Sequence, residues 1–163
     1  MEEILGGVDR EDGEHLKIAI GSDHNGIAFK KLLTEHLRGG EHDVFDAGPA
    51  TEDSVDYPDF AFAVAEMVSK GEADRGILIC GSGIGMSMAA NKVRGIRAAL
   101  CHSPEEAALT RQHNDANVLT LAGWQTAEGD VMKIVDNFLN SEFEGGRHGR
   151  RVDKIKAYEE EQS

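Results

Sequence analysis

From residue 16 onward, short unbroken apolar runs alternate with segments in which apolar positions recur every three to four residues. "LKIAIG" (16–21) is short and evenly apolar, which predicts a strand buried on both faces. "GIAFKKLLTEHLRGG" (26–40) instead sets Ile27, Phe29, Leu32, Leu33 and Leu37 at helical spacing and stops at a glycine pair. The same alternation continues through strand "HDVFDAG" (42–48) and helix "YPDFAFAVAEMVSKGE" (57–72), which has Pro58 near its start and Gly71 near its end. Strand "RGILIC" (75–80), helix "GMSMAANKV" (85–93), strand "IRAALC" (96–101) and helix "SPEEAALTRQH" (103–113) follow. Strand "NVLTLAG" (117–123) and helix "TAEGDVMKIVDNFLN" (126–140) complete five strand–helix pairs. The pattern predicts an α/β fold, a parallel sheet of five strands with helices on both faces. "GRRVDKIKAYEEEQ" (149–162) predicts a further helix outside this unit, placed to lie on a partner chain.

Length and charge narrow the picture. A chain of 163 residues buries a full core as one domain, and no stretch approaches the roughly 18 consecutive apolar residues of a membrane span. The leader "MEEILGGVDREDGEH" lacks the basic and apolar regions of a signal peptide, so residues 1–15 read as an acidic extension and 16–163 as the domain. Cys80 and Cys101 are then expected as free thiols in the cytoplasm. A formal net charge of −13 argues against nucleic-acid or membrane-surface partners, because both polyanions would be repelled. Against that background "GGRHGRR" (145–151) gathers Arg147, Arg150 and Arg151 around His148. It is either a small-anion site or a surface cluster paired with Glu142 and Glu144.

Ligands of such sheets bind outside the carboxyl ends of the strands, which directs attention to the loops after them. The most informative is "ICGSGIGMSMAAN" (79–91), where a strand ends in a thiol and a glycine-rich turn opens a helix. Gly81 and Gly83 are followed by Met86 where a dinucleotide fingerprint needs its third glycine, and no lysine precedes Ser87 as a P-loop requires. Met86 also stands where a cysteine phosphatase loop needs arginine. What survives is a thiol beside free backbone N–H groups, an arrangement that binds oxyanions and favours a thiolate; the alternative is a buried cysteine in a tight turn. "GSDHNG" adds Asp23 and His24, candidates for proton transfer or anion contact, and "RQHND" adds His113, Asn114 and Asp115, with His113 also able to cap a helix end. No H-x-x-x-H or C-x-x-C spacing supports a metal site from His24, His113, Asp23 and Cys80. Met67, Met86, Met88 and Met132 read as packing residues. A redox role for Cys80 and Cys101 is a third possibility, since the strands they end are expected to be neighbours.

Taken together, "IAIGSDHNG", "DYPDFA", "GILICGSGIGMSMAANKVRGIRAAL", "TRQHNDANVL" and "EGGRHGRRV" resemble the ribose-5-phosphate isomerase B family, in the wider group that includes the galactose-6-phosphate isomerase subunits. The resemblance covers roughly residues 16 to 152. It implies a homodimer of Rossmann-like three-layer subunits with shared active sites, interconverting ribose 5-phosphate and ribulose 5-phosphate without metal or cofactor. Cys80 matches the family's base, Ser82 its proton-shuttling hydroxyl, and the cradle of Gly81, Gly83, Gly85 and Ser87 the enediolate site. Asp23 and His113 match ring-opening residues, Asn114 a sugar contact, and His24, Arg147 and Arg151 the phosphate-binding positions. One departure stands out: many relatives carry a phosphate-binding arginine in the loop after the fifth strand, where this chain has Trp124. Either the remaining cations suffice, or the pocket suits a tetrulose or six-carbon sugar phosphate, or Trp124 is a dimer contact. A noncatalytic phosphate-binding module is the competing class, and it has no need of a thiol with two ionisable partners.

Overall fold

The computed structural model describes residues 15–162. Of the acidic extension only His15 falls within them, and its ring bonds the Asp43 carboxylate at 2.8 Å. The strands are β1 (Lys17–Ser22), β2 (Asp43–Asp46), β3 (Arg75–Cys80), β4 (Ala98–Leu100) and β5 (Val118–Ala122). The helices are α1 (Ile27–Gly39), α2 (Tyr57–Ser69), α3 (Ile84–Ala90), α4 (Pro104–Asn114), α5 (Glu128–Asn140) and α6 (Gly146–Glu161). All strand pairings are parallel, in the order β2-β1-β3-β5-β4. Among the described residues no helix is long and apolar enough to cross a membrane.

Why the strands read as apolar on every position is visible in how they feed two cores. Ile18, Ile20, Ile77, Ile79, Leu119 and Leu121 face one cluster with Leu33 and Leu37 of α1 and Val131, Ile134 and Phe138 of α5. The intervening Ala19, Leu78, Cys80 and Val118 face the other, with Val64 and Ala65 of α2 and Met86 of α3. The period-two alternation of each strand thus supplies both faces of a three-layer α/β/α sandwich. Gly76 permits close packing there, since a Cβ on it would lie 2.8 Å from Val64 Cγ1.

Several details depart from the pattern-based expectation. β4 spans three residues rather than 96–101. The Arg97 N–H donates to Asn117 Oδ1 at 2.8 Å, so the parallel register starts only at Ala98. α6 begins three residues before the predicted 149, because His148 and Val152 are buried and hold its first turns down. Met88 is 66% exposed, not a packing residue, while Met86 is fully buried. β5 separates β3 from β4, so Cys80 and Cys101 end strands that are not neighbours. Both thiols are free and buried, which removes the basis for a redox pair.

Candidate active site

The chain passes from β1 to β2 on one side and reaches β3 on the other, and this reversal opens a crevice where the loops after β1 and β3 diverge. The Asp23 N–H donates to Ile79 O at 3.0 Å, stitching the first loop to the end of β3. Gly26 makes that approach possible, as a Cβ there would lie 2.7 Å from Ile79 O. Asp23 is 6% exposed, and its Oδ1 accepts the Asn25 N–H at 2.9 Å. His24 Nδ1 accepts the Val55 N–H at 3.3 Å, which fixes the ring beside the crevice.

Cys80 ends β3 with its Sγ accepting the Gly83 N–H at 3.2 Å. Gly83 has φ 75°, a left-handed conformation that turns the chain into α3. Its carbonyl accepts the buried Thr120 hydroxyl at 3.1 Å, which anchors the turn to β5. Ser82 Oγ accepts the Ile84 N–H at 3.2 Å, and the Ser87 N–H reaches back to Gly83 O at 3.1 Å. The loop after β5 is latched on: the Gly123 N–H donates to Cys80 O at 2.8 Å and the Trp124 N–H to Gly81 O at 2.9 Å. Two aromatic rings wall the cradle. A Cβ on Gly81 would stand 2.6 Å from the Trp124 indole, and one on Gly85 2.5 Å from the Tyr57 ring. Neither contact was legible in the sequence, because the partners lie 43 and 28 positions away and glycine carries no mark of what it faces.

His113, Asn114, Arg147 and Arg151 sit elsewhere. α4 runs antiparallel to the strands, so its C-terminal end lies at the sheet's amino edge. There the Arg97 Nε–H, one residue ahead of β4, donates to Asn114 O at 3.1 Å. His113 stacks on His148 of α6 with ring centroids 4.1 Å apart and planes 8° from parallel. Glu144 Oε1 lies 3.9 Å from His113 Nε2 and 3.6 Å from His148 Nε2. Desolvation, then the neighbouring His113 and Arg147, push the His148 pKa below the usual imidazole range, with Glu144 opposing. Arg147 and Arg151 are exposed on the first turns of α6. An open groove of about 490 Å³ beside them is lined by Arg97, Asn114, Ile155 and Tyr158.

The candidate residues therefore form two groups. Asp23, His24, Cys80, Gly81, Ser82, Gly83, Gly85 and Ser87 line the carboxyl edge, while His113, Asn114, Arg147 and Arg151 cluster at the amino edge. The five residues of β5 separate the edges by roughly 16 Å. The quartet His24, His113, Asp23 and Cys80 is thereby divided and cannot converge on one ion within a chain. The donor atoms of His113, Glu144 and His148 do lie within 4.8 Å of one another. Parallel stacked imidazoles, however, aim their in-plane lone pairs side by side rather than at one point, so this trio is poorly set for a metal. His148 and Glu144, which orient His113, carried no sequence signal beyond their place in the basic cluster.

Known proteins show the same pattern of similarity. The profile of the family described as Ribose/Galactose Isomerase matches residues 18–155. Ribose-5-phosphate isomerase B of Escherichia coli (strain K12) is 46% identical over 144 residues, which is 88% of this chain and 97% of that protein. The structure of Clostridium thermocellum ribose-5-phosphate isomerase B superposes with a TM-score of 0.89 at 49% identity, covering 90% of this chain and 99% of that one. Ribose-5-phosphate isomerase B from Mycoplasma genitalium, with bound ribulose-5-phosphate, superposes with a TM-score of 0.86 at 52% identity, covering 89% and 97%.

Proposed function

The chain belongs to the ribose/galactose isomerase family, and on that premise we propose that it is an aldose–ketose isomerase interconverting D-ribose 5-phosphate and D-ribulose 5-phosphate. The observation that carries the reading is Cys80: a thiol at a strand end, with a backbone N–H aimed at its Sγ, in a crevice shared with the buried Asp23. In this reading Asp23 and His113 of the partner subunit move the protons that open the furanose. The Cys80 thiolate then takes the proton from C2 of the open-chain aldose. The C2–H electron pair becomes the C1–C2 double bond and the C1 carbonyl oxygen takes up negative charge, which N–H groups of the Gly81–Ser87 cradle other than those of Gly83, Ile84 and Ser87 meet. Return of the proton to C1 and transfer of the O2 proton to O1, with Ser82 as relay, give the ketose. His24 and the arginines hold the non-reacting phosphate.

Completing that site needs a second copy of the chain. The separation of the two residue groups by the length of β5 supports a two-fold homodimer in which Asn114, Arg147 and Arg151 of each subunit serve the other's crevice. Ile155 and Tyr158 on α6, 56% and 64% exposed, give such a dimer apolar surface to cover. Two free, buried thiols fit a cytoplasmic setting. The breadth of the family favours one second reading, the same proton transfer on a hexose 6-phosphate.

Proton NMR of the purified protein with ribose 5-phosphate in D₂O tests the proposal. Ribulose 5-phosphate with deuterium at the exchanging carbon is expected. A folded dimer that leaves ribose 5-phosphate unchanged and turns over a hexose 6-phosphate moves the assignment to the second reading.

A further inference from the structure

Trp124 is the only tryptophan in the chain, and it occupies an unusual place. It is 71% exposed, the most exposed of the large apolar side chains in the described residues. It nevertheless sits in the loop latched to the residue after Cys80. A Cβ built on Gly81 would meet indole Cε2, Cζ2 and Cδ2 at 2.6, 2.6 and 2.7 Å. Three nearly equal distances mean that the ring lies face-on over the Gly81 α-carbon rather than edge-on. One face of the indole is thus pressed on the cradle, and the other is bare. The backbone is fixed as well, by the Trp124 N–H bond to Gly81 O and the Gly123 N–H bond to Cys80 O. A rigid, flat apolar surface therefore stands over the turn that follows the thiol.

We propose that Trp124 is a binding platform for the sugar: its free face takes the C–H side of the open-chain substrate beside the turn that follows Cys80. The inference rests on the isomerase reading above. Hydroxyls of an open-chain sugar phosphate find donors and acceptors on the polar side of the crevice, which leaves a C–H edge that water solvates poorly and an aromatic face accommodates. Glycine at position 81 belongs to the same device, since any side chain there displaces the ring. The platform also selects among sugars, because it contacts carbon positions rather than the phosphate.

The lone tryptophan reports on itself. In the ligand-free dimer its emission is expected at the solvent-exposed, red end and open to acrylamide quenching. Ribose 5-phosphate is expected to shift the emission blue and shield it, saturably, with a midpoint near the KM; inorganic phosphate alone is expected to do neither. Trp124→Ala should raise KM roughly three- to tenfold with kcat within about threefold, and Trp124→Phe should restore KM to within about twofold. Turnover with unmoved emission, an unaltered KM in Trp124→Ala, an equal response to inorganic phosphate, or an indole already shielded without ligand overturns the proposal. Should ribose 5-phosphate not turn over, a saturable shift with a hexose 6-phosphate supports the platform and fails the pentose assignment. Silence with both sugars overturns the platform.

Discussion

Cys80 owes its setting to a glycine three positions on and to a threonine that lies far away in the chain. Gly83 takes a left-handed φ of 75° and so turns its N–H onto Sγ, while Thr120 on β5 holds the Gly83 carbonyl. Cys80→Ala is expected to lower kcat by roughly two to four decades with KM little changed, as loss of a general base would, and steady-state kinetics on ribose 5-phosphate read both. Gly83→Ala adds a Cβ 2.5 Å from Leu100 Cδ1 in a conformation alanine resists, at a cost of about 3 kcal/mol visible as a lower urea midpoint. Burial, reinforced by the nearby Glu106 carboxylate, pushes the Cys101 pKa up to about 12. Iodoacetamide at about pH 8 should therefore leave Cys101 untouched until the protein unfolds, and mass spectrometry of its peptide checks it. At this scale the thiol, the glycines and Asp23 were legible, because strand end plus glycine turn is a local pattern. Tyr57 and Trp124 were not, because what a glycine accommodates is set by a distant segment.

Elements followed the hydrophobic period wherever packing agreed with it. All five strand–helix pairs stand where the alternation put them, and the errors fall where side chains replaced the expected backbone partner. β4 begins late because Asn117 takes the Arg97 N–H, and α6 begins early because His148 stacks on His113 despite the glycines around it. That stack has a pH consequence. The His148 pKa is lowered in the fold relative to its ordinary 6.5, so the folded state prefers the neutral ring. The stability this contributes is present above that value and is lost as pH falls through the lower folded one. Protonation sets a charge against His113, Arg147 and Arg151, with Glu144 as partial compensation. Thermal unfolding midpoints should fall between about pH 7.5 and pH 5, and His148→Gln should flatten the fall; an identical slope in both proteins would remove His148 as its source.

For the whole molecule the decisive feature is that the candidate residues fall into two groups at opposite edges of one sheet. If each crevice is completed by its partner, then Cys80→Ala and Arg151→Ala dimers, each nearly inactive at low substrate, should regain activity when unfolded and refolded together. Random pairing makes half the dimers mixed, each with one intact site in two, so recovery approaches about a quarter of the wild-type rate. Recovery no greater than the sum of the separate variants would place both groups in one chain's site. The sequence by itself determined the α/β class, the succession of elements, the loops that carry chemistry and the family, because strand burial, helical period and glycine turns are written in neighbouring residues. Tertiary structure decided the insertion of β5 between β3 and β4, the separation of Cys80 from Cys101, and the burial of His148 against His113. It also decided the aromatic walls around the thiol and the placing of His113 and the arginines one strand length from Cys80. These depend on which surfaces meet when distant segments pack, and no local pattern records that.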